Sequence, residues 1–149
     1  MKKGLFISLL MCLVMVFVGC ESRTQEPCRF NKVNVDFSVP KGSWAYDTEN
    51  KWFSYYYQTS VITPSIYDYG TWTMSHEYNP RTENAYLIQL PEFQFYELPI
   101  DENTSYFYTQ RIDYEVGVGY VRVYLTNSDY IYPDGWTPDE MYFHMQITY

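Results

Sequence analysis

The stretch 105–125 limits what this chain can fold into more than any other. Tyr106, Tyr108, Ile112, Tyr114 and Val116 fall on one side of an extended chain, with Gln110 the one polar residue among them. Thr109, Arg111, Asp113 and Glu115 fall on the other side. A period of two is the pattern of a strand with one face buried. Gly117-Val118-Gly119 follows, and glycine takes positive φ without strain, so the run predicts a turn. Val121, Val123 and Leu125 then alternate with Arg122 and Tyr124. The two runs predict an antiparallel hairpin over 106–125.

The rest of the body repeats this pattern in shorter pieces. Val33, Val35, Phe37 and Val39 alternate with Asn34, Asp36 and Ser38, and Pro40-Lys41-Gly42 ends that strand. A short extended piece over 44–46 leads into Asp47-Thr48-Glu49-Asn50, which has the chemistry of a turn. The segment 51–59 is aromatic on both faces. Pro64 suits the first turn of a helix, and 65–68 reads as one helical turn. Trp72, Met74, His76 and Tyr78 share one face of the next strand. Strands over 85–90 and 92–97 follow, the latter with Phe93 and Phe95 on one face, and 99–103 reads as a loop. After a loop over 127–138, Met141, Phe143, Met145, Ile147 and Tyr149 make a last strand.

No amphipathic helix interrupts this series. About eight short strands separated by turn signals predict an all-β fold, a single Greek-key or immunoglobulin-like β-sandwich. A small outer-membrane barrel is the alternative. Its strands need about 9–11 residues, and Pro40, Pro64, Pro80, Pro91, Pro99 and Pro133 cut most of these runs shorter. Proline is also poorly tolerated in paired central strands.

The first 20 residues are of another kind. Lys2 and Lys3 precede an uncharged run over 5–19 that ends in Phe17-Val18-Gly19-Cys20. A basic start, an apolar stretch and a small residue before the cut describe a secretory signal. Val18-Gly19-Cys20 resembles the end of a bacterial lipoprotein signal. That resemblance implies cleavage before Cys20 and lipid on its thiol and new N-terminus, and several acyl chains on one residue hold firmly to a membrane. The expected organisation is a signal over 1–19, a lipid-anchored tether over 20–31 and one β-domain over 32–149. The implied location is the cell envelope, on the outer membrane, facing the periplasm or the surface.

Charge and cysteines fit an exported, anchored domain. Taking Lys2 and Lys3 away with the signal leaves eight of the ten basic residues against 18 acidic ones, a formal net charge of −10. Nucleic acid is excluded as an expected partner, because phosphate binding needs a basic patch. The membrane link then rests on the lipid rather than on a basic face. Cys12 leaves with the signal and Cys20 carries lipid, so Cys28 remains as a single thiol in the tether, with no partner for an intramolecular disulfide. The body is also similar to small uncharacterised lipoproteins of Bacteroidota, through Val61-Ile62-Thr63-Pro64, Gly70 before an aromatic strand, Leu90-Pro91, Gly117-Val118-Gly119-Tyr120-Val121 and Ser128-Asp129. That similarity implies a β-domain and carries over no functional residue.

No catalytic constellation, metal-ligand spacing or cofactor motif is legible. The Gly117-Val118-Gly119 run precedes a strand, whereas a phosphate-cradling loop precedes a helix. His76 and His144 are far apart in sequence, and the face His76 shares with Trp72 and Met74 reads as a core or rim position rather than a ligand's. Asp129, Asp134, Asp139 and Glu140 match no standard calcium loop. The unusual feature is 18 Tyr and four Trp, residues that suit half-wet contact surfaces as well as strands. The reading is therefore a non-catalytic binding module for a glycan or a protein, working without a cofactor. Trp52, Tyr55, Tyr56 and Tyr57 are its candidate contact residues: one of the pairs Trp52/Tyr56 and Tyr55/Tyr57 faces outward. A structural or accessory subunit of an envelope or pilus-like assembly is the alternative.

Overall fold

The computed structural model describes residues 31–101 and 103–149. The signal, Cys20 and Cys28 lie outside these residues. The described residues form nine strands and one short helix: β1 (Lys32–Val39), β2 (Ala45–Asp47), β3 (Trp52–Gln58), α1 (Pro64–Tyr69), β4 (Thr71–Tyr78), β5 (Tyr86–Gln89), β6 (Glu92–Asp101), β7 (Thr104–Gly117), β8 (Tyr120–Asn127) and β9 (Met141–Thr148). They make two antiparallel sheets, one ordered β1-β9-β4-β5 and the other β2-β3-β8-β7-β6. Neither sheet closes on itself, so the architecture is a sandwich and not a barrel. The chain changes sheet between β1 and β2, β3 and β4, β5 and β6, and β8 and β9.

The predicted hairpin is the β7–β8 pair. Gly117 stands opposite Tyr120, and Val118-Gly119 forms the turn with Gly119 at φ +82°. Gly117 itself takes no positive φ, but a Cβ there would sit 2.2 Å from the Tyr120 ring, which would have to swing aside. Every apolar residue of β8 points inward, so Val121, Val123 and Leu125 are fully buried. The turn after β2 closes as its composition suggests, with Asp47 Oδ1 accepting from the backbone N–H of Glu49 and of Asn50, each at 2.9 Å. Those bonds, with one from the Asn50 side chain, hold the Asp47 carboxyl below its usual range. The helical turn is α1, capped by Thr63 Oγ1, which accepts from Ile66 N at 3.3 Å, with Pro64 in the first turn.

One strand outgrows its expected limits. The segment 99–103 reads as a loop in sequence, but β6 runs on to Asp101, with a register shift between Pro99 and Asp101. Pro99 is accommodated because β6 is the sheet's outer strand and owes hydrogen bonds on one side only. The three-residue β2 is the strand that brings the count to nine.

The interior is filled by alternate residues from both sheets. Val35, Phe37 and Val39 of β1, Phe143, Met145 and Ile147 of β9 and Met74 of β4 meet Phe53, Val121, Val123, Leu125 and Ile112 from the other sheet. Phe37 stacks on Tyr57 with ring centres 4.3 Å apart and planes 9° off parallel, joining the two sheets. Burial of this kind, at about 25 cal/mol per Å² of apolar surface, is the main stabilising term in a domain of this size.

Candidate functional site

Strand β3 carries rings on both faces, and the fold sorts them. Its pairing with β8 sets Phe53 opposite Leu125, Tyr55 opposite Val123 and Tyr57 opposite Val121. Directly opposed residues share a face, so Phe53, Tyr55 and Tyr57 turn inward with the β8 core residues. Phe53 is buried, and Tyr55 and Tyr57 pack against the core. Trp52 and Tyr56 stand on the outer face, with Tyr56 45% exposed. Of the four candidate contact residues, the structure thus brings Trp52 and Tyr56 to one surface and takes Tyr55 and Tyr57 away from it.

Trp52 and Tyr56 do not make a ladder by themselves, because Ser54 lies between them. The missing rungs come from β8. Tyr120 stacks on Tyr56 with centres 4.6 Å apart, and Tyr124 packs on Trp52 at 5.0 Å. Arg122 occupies the space between, 5.6 Å from the Tyr56 ring centre and 5.9 Å from that of Tyr124. Arg122 Nη1 donates to Tyr124 Oη at 3.3 Å and pairs with Glu115 at 3.4 Å. Partial burial, with the nearby Glu115 carboxylate, pushes the Tyr124 phenol up to about 12, so it keeps its proton and its capacity to donate.

The surface continues across β7 to β6. Arg111 pairs with Asp113 and lies 5.8 Å from the Phe93 ring centre. Phe93 is 56% and Phe95 86% exposed. Trp52, Tyr124, Asp113, Arg111, Phe93 and Phe95 line an open groove of about 1010 Å³ on this outer face. Its chemistry is ring faces with paired charges, so it offers stacking and hydrogen bonds.

The reverse face of β6 holds a polar cluster inside the sandwich. Glu92, 5% exposed, accepts from His76 Nδ1 at 3.2 Å and from the Tyr78 hydroxyl, both on the opposite sheet. Gln94 Nε2 donates to Glu92 Oε1 at 2.9 Å and to Tyr78 Oη, and Gln94 Oε1 accepts from Tyr96. Beside it, Gln110 Nε2 donates to Asn127 Oδ1 at 3.1 Å, both residues buried. Burial lowers the His76 imidazole, against the opposing pull of Glu92, and so favours its neutral form. Burial first, and the Glu92 carboxylate second, push the Tyr78 phenol far up. Among the described residues no buried side-chain nitrogen or oxygen lacks a hydrogen-bond partner.

Three parts of this arrangement escape a reading of the sequence. Tyr120, Tyr124 and Arg122 lie far from 52–57 along the chain and join it only through the β3–β8 register. Glu92 and Gln94 show no signal of burial, since each alternates with a phenylalanine. The second histidine, His144, sits on the outer face of the other sheet, with Nδ1 3.0 Å from Asp36 and Nε2 2.8 Å from Glu77. Among the described residues no group of three or more His, Cys, Asp or Glu is placed to hold a metal ion. No family model, curated protein or solved structure matches this chain.

Proposed function

We propose that this chain is a lipid-anchored envelope protein whose folded domain is a non-catalytic binding module. The lipid on Cys20 tethers it to the outer membrane, and the outer face of the five-stranded sheet takes the ligand, a glycan or a protein segment. One observation carries the reading: Tyr56 with Tyr120, and Trp52 with Tyr124, form two ring pairs with Arg122 between them, beside an open groove. Rings with polar tips, fixed by stacking, give contact area with little further loss of side-chain freedom on binding.

The test is a double substitution, Trp52→Ser with Tyr56→Ser, assayed for binding to glycan and envelope-protein panels. Both rings lie outside the core, so the variant is expected to keep the parent's unfolding transition and lose at least tenfold in affinity, as for removal of central aromatic contacts. Equal binding by variant and parent rejects this face. In parallel, Cys20→Ser is expected to move the protein from the membrane fraction to the soluble one. Unchanged membrane retention, with no lipid mass on the N-terminal peptide, rejects the anchor.

A second reading, an accessory subunit of an envelope assembly, is favoured by β6 itself. It is a ten-residue edge strand with Phe93, Phe95 and Leu98 exposed. Such an edge is a template for strand addition. Concentration-dependent association that Phe95→Lys abolishes is the result that selects it.

A further inference from the structure

A second opening in the molecule belongs to neither reading. A cleft of about 400 Å³ lies beside the interior polar cluster, where β4, β6 and β7 meet the loop before β9. His76 and Tyr78 line it from β4, Gln94 and Tyr96 from β6, with Tyr108 and Trp136. The size lies within the range of ligand sites, about 300–1,000 Å³.

The charges around this cleft are already matched. Glu77 takes His144 at 2.8 Å and Asp139 takes Lys41 at 2.7 Å. Glu140 is hydrogen-bonded to the Tyr142 phenol, and the Arg81 guanidinium lies 5.6 Å from the Tyr142 ring centre. Among the described residues no lysine or arginine lines the cleft. The nearby Arg81 guanidinium stands over the Tyr142 ring and the carboxylates are engaged, so the lining favours neither an anion nor a cation.

What the cleft offers instead is neutral. His76 Nδ1 lies 3.2 Å from Glu92 Oε2, and with the proton on that nitrogen a neutral ring presents Nε2 as an acceptor. The Gln110 amide oxygen and the Tyr108 phenol add hydrogen-bonding groups, while Gln94 and Tyr96 are engaged with each other and Gln94 also with Tyr78 and Glu92. Tyr96 and Tyr108 stack 5.1 Å apart, 13° off parallel, and fix the wall to which they belong. Trp136 is held in the same way, 5.6 Å from Tyr132. Immobile ring faces beside uncharged hydrogen-bonding groups match a ligand with hydroxyls around its edge and C–H bonds on its face.

We infer that this inter-sheet cleft is a second binding site, for a neutral polyhydroxylated ring of hexopyranose size, with His76 Nε2 accepting a hydroxyl hydrogen and the Tyr and Trp136 rings bearing on the sugar face. The inference stands apart from the outer-face reading, because it uses different residues on the other side of β6.

The experiment is a titration of the full chain with glucose, galactose, mannose and N-acetylglucosamine, one at a time, up to high millimolar concentration. NMR signals of the His76 and Trp136 rings report occupancy. At least one sugar is expected to shift both signals saturably. His76→Phe is expected to weaken that response about tenfold, the effect of one lost hydrogen bond of about 1.4 kcal/mol. Tyr108→Phe removes one hydroxyl, keeps the ring stack and is expected to weaken binding less, so it tests the site even if His76→Phe fails to fold. Trp52→Ser, on the outer face, is expected to leave the sugar-induced shifts of the His76 and Trp136 rings as in the parent. Saturation by none of the four sugars overturns the inference, as does saturation by sulfate or tetramethylammonium in their place. Loss of the response in Trp52→Ser also overturns it, and assigns the sugar to the outer face.

Discussion

The two flanks of the sandwich interior are built on opposite rules. Where β1 and β9 face β3 and β8, the space between the sheets is filled by Phe37, Phe143, Tyr57, Val121, Val123 and Leu125, and Phe37 stacks on Tyr57 across it. Where β4 faces β6, the cross-sheet contacts are His76 and Tyr78 on Glu92. There the phenyl rings of β6 are turned out to solvent and its carboxylate and amide are turned in. The first flank gains by removing apolar surface from water and tolerates small shifts. The second depends on each donor keeping its acceptor, because an unpaired buried group costs more than a made bond returns. The comparison separates what holds the sheets together from what the molecule keeps for another purpose.

The sharpest way to break it is to cut into both flanks. Phe143→Ala is expected to cost about 3–5 kcal/mol, the range for a fully buried phenylalanine that leaves a cavity. Urea unfolding with an unchanged slope measures it. A loss below about 1 kcal/mol would mean that the apolar flank collapses to fill the space.

Glu92→Leu is expected to cost on the order of 3 kcal/mol, since it strands His76, Tyr78 and Gln94 without their acceptor. Replacing the set together, His76→Phe, Tyr78→Phe, Glu92→Leu and Gln94→Leu, is expected to return stability to within about 1 kcal/mol of the parent. If the fourfold variant is instead as unstable as Glu92→Leu alone, the polar flank contributes to stability in its own right and the contrast fails.

The smallest expected effect is in pH, and the two histidines should act with opposite sign. Burial lowers His76 from 6.5 in the folded state, so the unfolded chain binds more protons there. Its contribution to stability is complete above 6.5 and falls as pH drops below that value. Burial also opposes the charge on His144, but the hydrogen bonds to Glu77 and Asp36 outweigh it and raise that imidazole above 6.5. Its contribution is complete below 6.5 and is lost as pH rises through the raised folded value. Urea midpoints taken across this window should lose the acidic-side decline in His76→Gln and the alkaline-side decline in His144→Gln. Identical pH profiles in parent and both variants would show that neither pairing survives in solution.

Much of the fold was legible because period-two alternation is a local property. The β7–β8 hairpin, the strand at Val33–Val39 and the inward set of β9 follow from side chains that switch faces at each residue. The helical turn at Pro64 and the Asp47 turn follow from local capping chemistry in the same way. What a strand's alternation leaves open is which of two faces turns inward, whenever both are plausible. On β3 both faces carry rings, and its partner β8, whose inward face is all Val and Leu, decided for Phe53, Tyr55 and Tyr57. The ring platform was half legible for the same reason: Trp52 and Tyr56 are visible in their own segment, but Tyr120, Arg122 and Tyr124 arrive through register.

Strand β6 shows the division most clearly. Its sequence determined that Phe93 and Phe95 share one face and Glu92 and Gln94 the other, and hydrophobicity alone would bury the rings. The tertiary structure decided the reverse. Glu92 stands opposite Ile112 and Gln94 opposite Gln110, the inward residues of β7. Opposed residues share a face, and slipping the register by one would expose Ile112's side of the pair or break it. The donors that make a buried Glu92 tolerable, His76 and Tyr78, come from the other sheet. A carboxylate's partners in space are set by how two sheets stack, and no pattern within one strand encodes them.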